Sequence, residues 1–173
     1  MGTHIETFFP YAVERSPEVL QQRLATIFET LQEELYAIVE RGRFSAGGGD
    51  WWLSADEDEV RGEGPNGFSI SVYSAVIEFT SAERFGAVES PDLGIHIALR
   101  RVFETVAAGF GAGGRLAVAA GGFGDTDQAN DLALDGCGFA EVCGCLEAKI
   151  GPPARSWEAL EAGSGFWYLS DQT

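Results

Sequence analysis

The chain has 173 residues, of which 45% are hydrophobic, and its 27 acidic and 11 basic side chains give a net charge of −16. This length predicts a single domain spanning residues 1–173, with enough apolar material for a core. The charge opposes binding to nucleic acid and to an anionic membrane face, since both need Lys and Arg. It predicts basic proteins, cations or neutral small molecules as partners, although an acidic surface can also serve solubility alone.

The compartment is predicted from the N-terminus and the cysteines. No basic stretch precedes an apolar run at the start, and no apolar stretch reaches the roughly 18 residues of a membrane span. Three cysteines in such a chain are expected to be reduced thiols. A single lysine, Lys149, against ten arginines indicates a GC-rich bacterial genome. We therefore expect a cytoplasmic bacterial protein that needs no membrane.

The first elements in chain order are a strand and a helix. Residues 5–12 are apolar and aromatic, and Pro10 favours an edge position for this strand. Ser16 and Pro17 form an N-cap followed by an N1 proline. Apolar residues then recur at helical spacing, which predicts one amphipathic helix of about 25 residues that ends at Gly42. Its apolar stripe comprises Leu20, Leu24, Ile27, Phe28, Leu31, Leu35, Ile38 and Val39.

The next segment predicts paired strands. Asn66-Gly67 is a turn signal, so residues 51–54 and 68–73 are expected to be neighbouring antiparallel strands, with the acidic run Asp56–Glu59 in the long connection. Residues 68–80 alternate between apolar and polar, but the phase changes by one residue. That change predicts either a β-bulge or two strand segments.

The second half predicts a further long helix and shorter elements. Ser90-Pro91 begins the helix, and Gly109 and Gly111 end it. The shorter elements are a strand at 116–120, a helix at 126–135, a strand at 140–146, a helix at 156–162 and a strand at 166–169. The whole order predicts an α+β fold with a mostly antiparallel sheet of about five to six strands and two long amphipathic helices packed on one face.

Two glycine-rich segments carry no nucleotide signal. Gly109–Gly114 matches G-x-G-x-x-G by letter, but it closes a helix and opens a strand, the reverse of a dinucleotide fingerprint. Gly121–Gly124 leads into Asp125 and Asp127, which would repel a phosphate, and no Lys follows. Both segments are interpreted as turns, and no cofactor is expected.

Metal and catalytic signals are weak. The acidic residues at 125–135 lack the alternation and central glycine of a calcium loop, and the cysteine spacing lacks the pairs of a zinc site. We interpret Cys143 and Cys145 as packed thiols on one face of a strand. No G-x-S-x-G motif occurs, and two histidines supply few general bases. We therefore expect no metal site and no catalytic residue.

The most informative neighbourhood is a pair of tryptophans before the acidic run. Adjacent strand residues point to opposite faces, so one tryptophan is expected in the core and the other near solvent. An exposed tryptophan beside concentrated negative charge combines an aromatic anchor with a steering field for a basic protein. The alternative is that other elements cover the outward-facing tryptophan and that the acidic run is only a solvated loop. The candidate partner-binding residues are Trp51, Trp52, Asp56, Glu57, Asp58 and Glu59.

These observations favour a binding protein over an enzyme. The first hypothesis is an immunity or antitoxin-type inhibitor that neutralises a basic toxin domain, acting as a monomer or homodimer, because its carboxylates could occupy a site made for phosphates. The alternative is a small-molecule-binding protein or enzyme with a carboxylate-lined pocket between sheet and helices, in which Cys145 is a candidate thiol. A subunit of a larger assembly is a third reading.

Overall fold

A computed structural model of the chain describes residues 4–12, 15–41, 50–84, 95–121, 126–154, 156 and 166–172. They form a seven-stranded antiparallel sheet with the order β2-β3-β4-β5-β1-β6-β7, and five α-helices. The predicted α+β class is confirmed, with more strands than expected. The elements are β1 (His4–Pro10), α1 (Pro17–Glu29), α2 (Gln32–Arg41), β2 (Trp52–Ala55), β3 (Val60–Glu63), β4 (Phe68–Val72), β5 (Val76–Arg84), α3 (Ile95–Gly109), β6 (Gly114–Gly121), α4 (Asp127–Leu134), α5 (Phe139–Ile150) and β7 (Phe166–Gln172).

The segments predicted as the two long helices, α1–α2 and α3, pack on one face of the sheet as expected, and the shorter helices α4 and α5 pack on the other face. Strand β1 shows the reason, because Ile5 and Phe9 point to one face while Phe8 points to the other, and all three are buried. The first face carries Ile5 and Phe9 and packs against α1, α2 and α3. The second face carries Phe8 and packs against α4 and α5. Because apolar side chains of this strand point to both faces of the sheet, each face must be covered by other elements.

The first predicted helix is two helices, α1 and α2, separated at Thr30. The Thr30 hydroxyl donates to the carbonyl of Ile27 at 2.7 Å, and the amide of Leu31 bonds to Phe28 at 3.1 Å, which tightens the last turn of α1. The apolar stripe nevertheless continues through Leu31 and into α2, so the periodicity gives no sign of the break. The predicted start of the second long helix, at Ser90-Pro91, lies outside the described residues.

Strand β1 is central and not an edge strand. It pairs with β5 along its whole length, but its pairing with β6 extends only from His4 to Phe8. Pro10 is the last residue of the strand and lies opposite Val76. A proline is tolerated there because the β6 ladder has already ended and needs no donor from it.

Residues 51–54 and 68–73 are not neighbours, because β3 lies between β2 and β4. Sequence reasoning missed β3, since Val60–Glu63 has one apolar residue and a glycine. The acidic run therefore forms the short β2–β3 hairpin connection, where the amide of Asp56 donates to the carbonyl of Glu59 at 2.8 Å. The phase change after Val72 marks two strands, β4 and β5, joined by a tight turn, which agrees with the second of the two predicted alternatives.

The predicted strand at 140–146 is wrong, because this segment lies in α5. Phe139, Val142 and Leu146 are buried at helical spacing, and the Glu141 carboxylate accepts the Gly138 amide at 2.6 Å to cap the helix. Cys143 and Cys145 thus do not share a strand face.

The other short elements agree better with the sequence. The strand at 116–120, the helix at 126–135 and the strand at 166–169 are confirmed within β6, α4 and β7. The turn at Gly109–Gly114 is also confirmed, with positive φ at Gly111 and Gly113. Of the predicted helix at 156–162, only Ser156 lies among the described residues. None of the described helices is both long enough and apolar enough to cross a membrane.

Candidate binding face of the sheet

The two tryptophans separate as predicted into one core and one surface residue. Trp51 is 2% exposed and packs edge-on against Phe28, with ring centroids 5.1 Å apart. Trp52 is 77% exposed on edge strand β2. Only Trp52 of this pair therefore offers an aromatic surface to a partner, while Trp51 supports the strand from below.

The acidic run lies at the tip of the β2–β3 hairpin. Asp56, Glu57 and Asp58 are exposed, and Glu59 is partly buried. Two arginines lie beside them, since Arg61 Nη1 is 3.6 Å from Glu59 Oε1 and Arg15 Nη1 donates to the Asp58 carbonyl at 3.5 Å. The tip keeps an acidic excess that projects into solvent.

Two rows of mostly polar side chains cross the second face of the sheet, from edge strand β2 to β1. The strand register defines both rows, because directly paired residues point to the same face. The first row is Trp52, Glu63, Ser69, Thr80 and Glu6. The second row is Ser54, Arg61, Ser71, Glu78 and Phe8.

These rows line an open depression of about 490 Å³, which we call the sheet groove. It is lined by the aromatic Trp52 and by the polar or charged residues Ser54, Arg61, Glu63, Ser69, Ser71, Glu78 and Thr80. A second depression of about 470 Å³ shares Glu63 and Glu78 with the first and reaches Glu6. Helices α4 and α5 contact β5, β1 and β7, so they flank the groove and cover the other end of this face. The groove has serine and threonine hydroxyls on its floor, carboxylates on two sides and Trp52 at its outer edge.

Glu78 is a partly buried carboxyl of the groove with a raised pKa. Burial and then the nearby Glu6 carboxylate raise the pKa of Glu78 from 4.5 to about 7. Its Oε2 accepts from the Tyr73 hydroxyl at 3.2 Å, and its Oε1 accepts from Thr80 at 3.4 Å. Among the described residues it forms no ion pair. Both the charged and the neutral form of Glu78 are therefore populated near neutral pH.

Tyr73 shares this environment. Burial, followed by the charge of Glu78, raises the pKa of Tyr73, so its hydroxyl stays protonated and remains a donor. Arg61, the one cation lining the groove among the described residues, is paired with Glu59 rather than with Glu78.

Sequence reasoning missed Glu6, Arg61, Glu63 and Glu78 as members of one site. Glu78 does carry a local signal, because it is a charged residue between the buried Ile77 and Phe79. The approach of Glu6 to Glu78 follows from the pairing of β1 with β5, which links the beginning of the chain to its middle. No local pattern contains that pairing.

The environment of Cys143 opposes a nucleophilic role for that thiol. All three cysteines are free and partly buried, and burial, followed by the charge of Asp171, raises the pKa of Cys143 to about 12. A thiol with so high a pKa is a poor nucleophile near neutral pH. Within the described part of the chain, no three His, Cys, Asp or Glu side chains are grouped to hold a metal ion.

A smaller depression of about 320 Å³ lies between α1 and β2, where Glu18 and Asp50 supply the carboxylates. It corresponds in position to the predicted pocket between sheet and helices. Hydrogen bonds from the backbone and from Ser16 lower the pKa of Glu18, which keeps it ionised. An exposed carboxylate of this kind at a helix N-terminus is accounted for by the helix dipole.

Comparisons with protein-family models, with curated proteins and with solved structures found no match for this chain. The charge, the groove and the two tryptophans are therefore the features that bear on function.

Proposed function

We propose that this chain is a protein-binding domain that captures and neutralises a basic partner, as a cytoplasmic bacterial immunity or antitoxin-type inhibitor does. The observation that carries the proposal is the exposure of Trp52 between the acidic hairpin tip and the sheet groove. Large exposed aromatic side chains are typical centres of protein interfaces.

Electrostatics supports a basic partner. The net charge of −16 attracts cations over several ångströms, and the exposed Asp56, Glu57 and Asp58 concentrate that charge beside Trp52. Such a field accelerates encounter with a positively charged surface and repels nucleic acid. A toxin that acts on nucleic acid or nucleotides has such a surface, because it must hold phosphates.

A second candidate is a small-molecule-binding protein or enzyme that uses the sheet groove. The observation that favours it is Glu78, whose pKa of about 7 lies in the range of a general acid or base. Tyr73 would orient this carboxyl through its hydroxyl. This function uses the open second face of the sheet.

The experiment is capture from a lysate of the source organism, followed by purification of each retained protein and a two-component binding assay. One variant changes Asp56, Glu57, Asp58 and Glu59 to their amides. A matched variant changes Glu29, Glu33, Asp131 and Glu147, which are exposed acids on the helices. Both variants lose the same charge, so a difference between them reports position and not net charge.

The proposal expects one basic protein that binds the wild type and the matched variant and binds the tip variant at least about tenfold more weakly. If both variants weaken partner binding equally, the loss of net charge explains the effect and the position of the acids does not. A neutral small molecule that binds in the groove, with no protein partner, would support the second candidate instead.

A further inference from the structure

The sheet groove is built for a ligand smaller than a protein surface. Its volume of about 490 Å³ suits one extended side chain with its flanking backbone. Trp52 forms one wall and remains 77% exposed, so its ring is available for stacking. The hydroxyls of Ser69 and Ser71 line the floor.

The polarity of the groove specifies a cation. Glu63 and Glu78 face it from β3 and β5, and Glu6 adjoins it from β1. Glu78 has two hydroxyl donors, from Tyr73 and Thr80, but forms no ion pair with any described residue. A carboxylate can accept about four hydrogen bonds, so Glu78 retains capacity for a charged donor. A cation placed there would offset the cost of burying this charge.

The geometry favours a planar cation. A guanidinium presents five donors in one plane, bonds a carboxylate with two parallel hydrogen bonds and stacks on aromatic rings. Trp52, in the first row, lies on β2, and Glu78, in the second row, lies on β5, so β3 and β4 separate them. Neighbouring strands are about 4.8 Å apart, so the span from β2 to β5 is roughly 14 Å. An extended arginine side chain covers about half of that span, so it can contact Glu78 while the backbone that carries it lies toward Trp52.

We propose that the sheet groove takes one arginine of the basic partner, with its guanidinium on Glu78 and its flanking backbone against Trp52. This inference rests on the proposed function and makes it more specific, because it distinguishes partners by one inserted residue. The acidic tip then attracts the partner, while the groove selects it. Arg61 lies in the same row as Glu78, two strands away, and is paired with Glu59.

The test uses small probes on the full chain, so it does not require the partner. Nα-acetyl-arginine amide is titrated while NMR follows the Trp52 indole N–H and the amides of Ser71 and Thr80. The citrulline analogue has the same shape without the charge, and the lysine analogue has the charge without the plane. Glu78→Gln and Trp52→Ala test the site, and Glu147→Gln, on exposed α5 surface, is the control.

The expected result is saturable binding of the arginine probe at these resonances. Glu78→Gln should weaken it by about tenfold or more, Trp52→Ala should weaken it less, and Glu147→Gln should leave it unchanged. Equal binding of the citrulline probe, equal or tighter binding of the lysine probe, or no effect of Glu78→Gln would overturn the proposal. So would the absence of any saturable shift.

The two proposals can fail separately. If the arginine probe does not bind but the tip variant alone loses a basic partner, the groove inference is wrong and the inhibitor function stands. If the probe binds through Glu78 but no basic protein is captured, the preference of the groove for a guanidinium stands and the inhibitor function is wrong.

Discussion

The hydroxyl of Tyr73 donates a 3.2 Å hydrogen bond to Oε2 of Glu78, across the tight turn that joins β4 to β5. This contact holds a partly buried carboxylate on the open face of the sheet, beside a second carboxylate, Glu6. The arrangement costs folding free energy when Glu78 is charged, because burial and like charge both oppose ionisation. A charged group that destabilises the fold and lies at an open groove is typical of a binding or reactive site.

Replacing Glu78 with Gln should stabilise the fold at alkaline pH. The pKa of Glu78 is raised from 4.5 to about 7 in the folded state. Between these values the folded state binds more protons than the unfolded state, so the Glu78 contribution to stability falls as pH rises through that window. We expect Glu78→Gln to raise the free energy of unfolding on the order of 2 kcal/mol near about pH 8 and to change it little near about pH 4. Urea denaturation at both pH values measures this. The same increment at both would contradict the pKa assignment.

Alanine substitutions at the two adjacent tryptophans should have very different effects on the stability of the fold. Trp51 is 2% exposed in an aromatic cluster with Phe28 and Phe79, whereas Trp52 is 77% exposed. We expect Trp51→Ala to cost about 3–5 kcal/mol and Trp52→Ala less than about 0.5 kcal/mol. Denaturant midpoints at constant m-value report both. A large loss with Trp52→Ala would mean that its ring is a structural contact.

Two glycines provide a matched test of the β2–β3 hairpin. A Cβ at Gly62 would clash with the backbone carbonyl of Trp52, whereas a Cβ at Gly144, within α5, meets nothing within 4 Å. We expect Gly62→Ala to destabilise the fold by about 1–3 kcal/mol and Gly144→Ala to stabilise it by about 0.5–1 kcal/mol. Thermal unfolding followed by circular dichroism compares them. Tolerance of alanine at position 62 would contradict the close β2–β3 approach.

The thiol of Cys143 should be unreactive in the folded protein. Burial raises its pKa to about 12, so little thiolate forms at neutral pH. With Cys137 and Cys145 changed to Ser, alkylation of Cys143 near about pH 8 should be at least tenfold slower than in urea. Mass spectrometry measures the rate. Equally fast alkylation under native conditions would revive a catalytic or redox role for this thiol.

Local patterns predicted the elements better than their arrangement. The adjacent tryptophans gave one core and one surface residue because side-chain alternation is a property of the strand itself. The segment Val60–Glu63 was missed because β3 is held by its neighbours rather than by its own apolar content. The strand predicted at 140–146 failed because a short apolar run does not distinguish a strand from a buried helix, and the Glu141 cap was not recognised.

Only one part of the candidate site, the hairpin tip with Trp52, could be predicted from the sequence. The hairpin tip and Trp52 are contiguous in the chain, so a local pattern revealed them. The groove brings together Glu63 and Glu78, and the adjoining depression adds Glu6, from three strands whose order is set by long-range pairing. Charge repulsion between Glu6 and Glu78 disfavours that pairing locally, and the buried apolar residues on the first face stabilise it.

The salt dependence of association with the purified basic partner tests the central claim most directly. Stopped-flow tryptophan fluorescence gives the association rate constant for the wild type, for the variant with amides at Asp56–Glu59 and for the matched variant with amides at Glu29, Glu33, Asp131 and Glu147. We predict a rate that falls by about tenfold or more between about 20 mM and 500 mM salt for the wild type, a similar fall for the matched variant and a shallow dependence for the tip variant. The same association rate at low and high salt for the wild type would contradict capture of a basic partner by this acidic face.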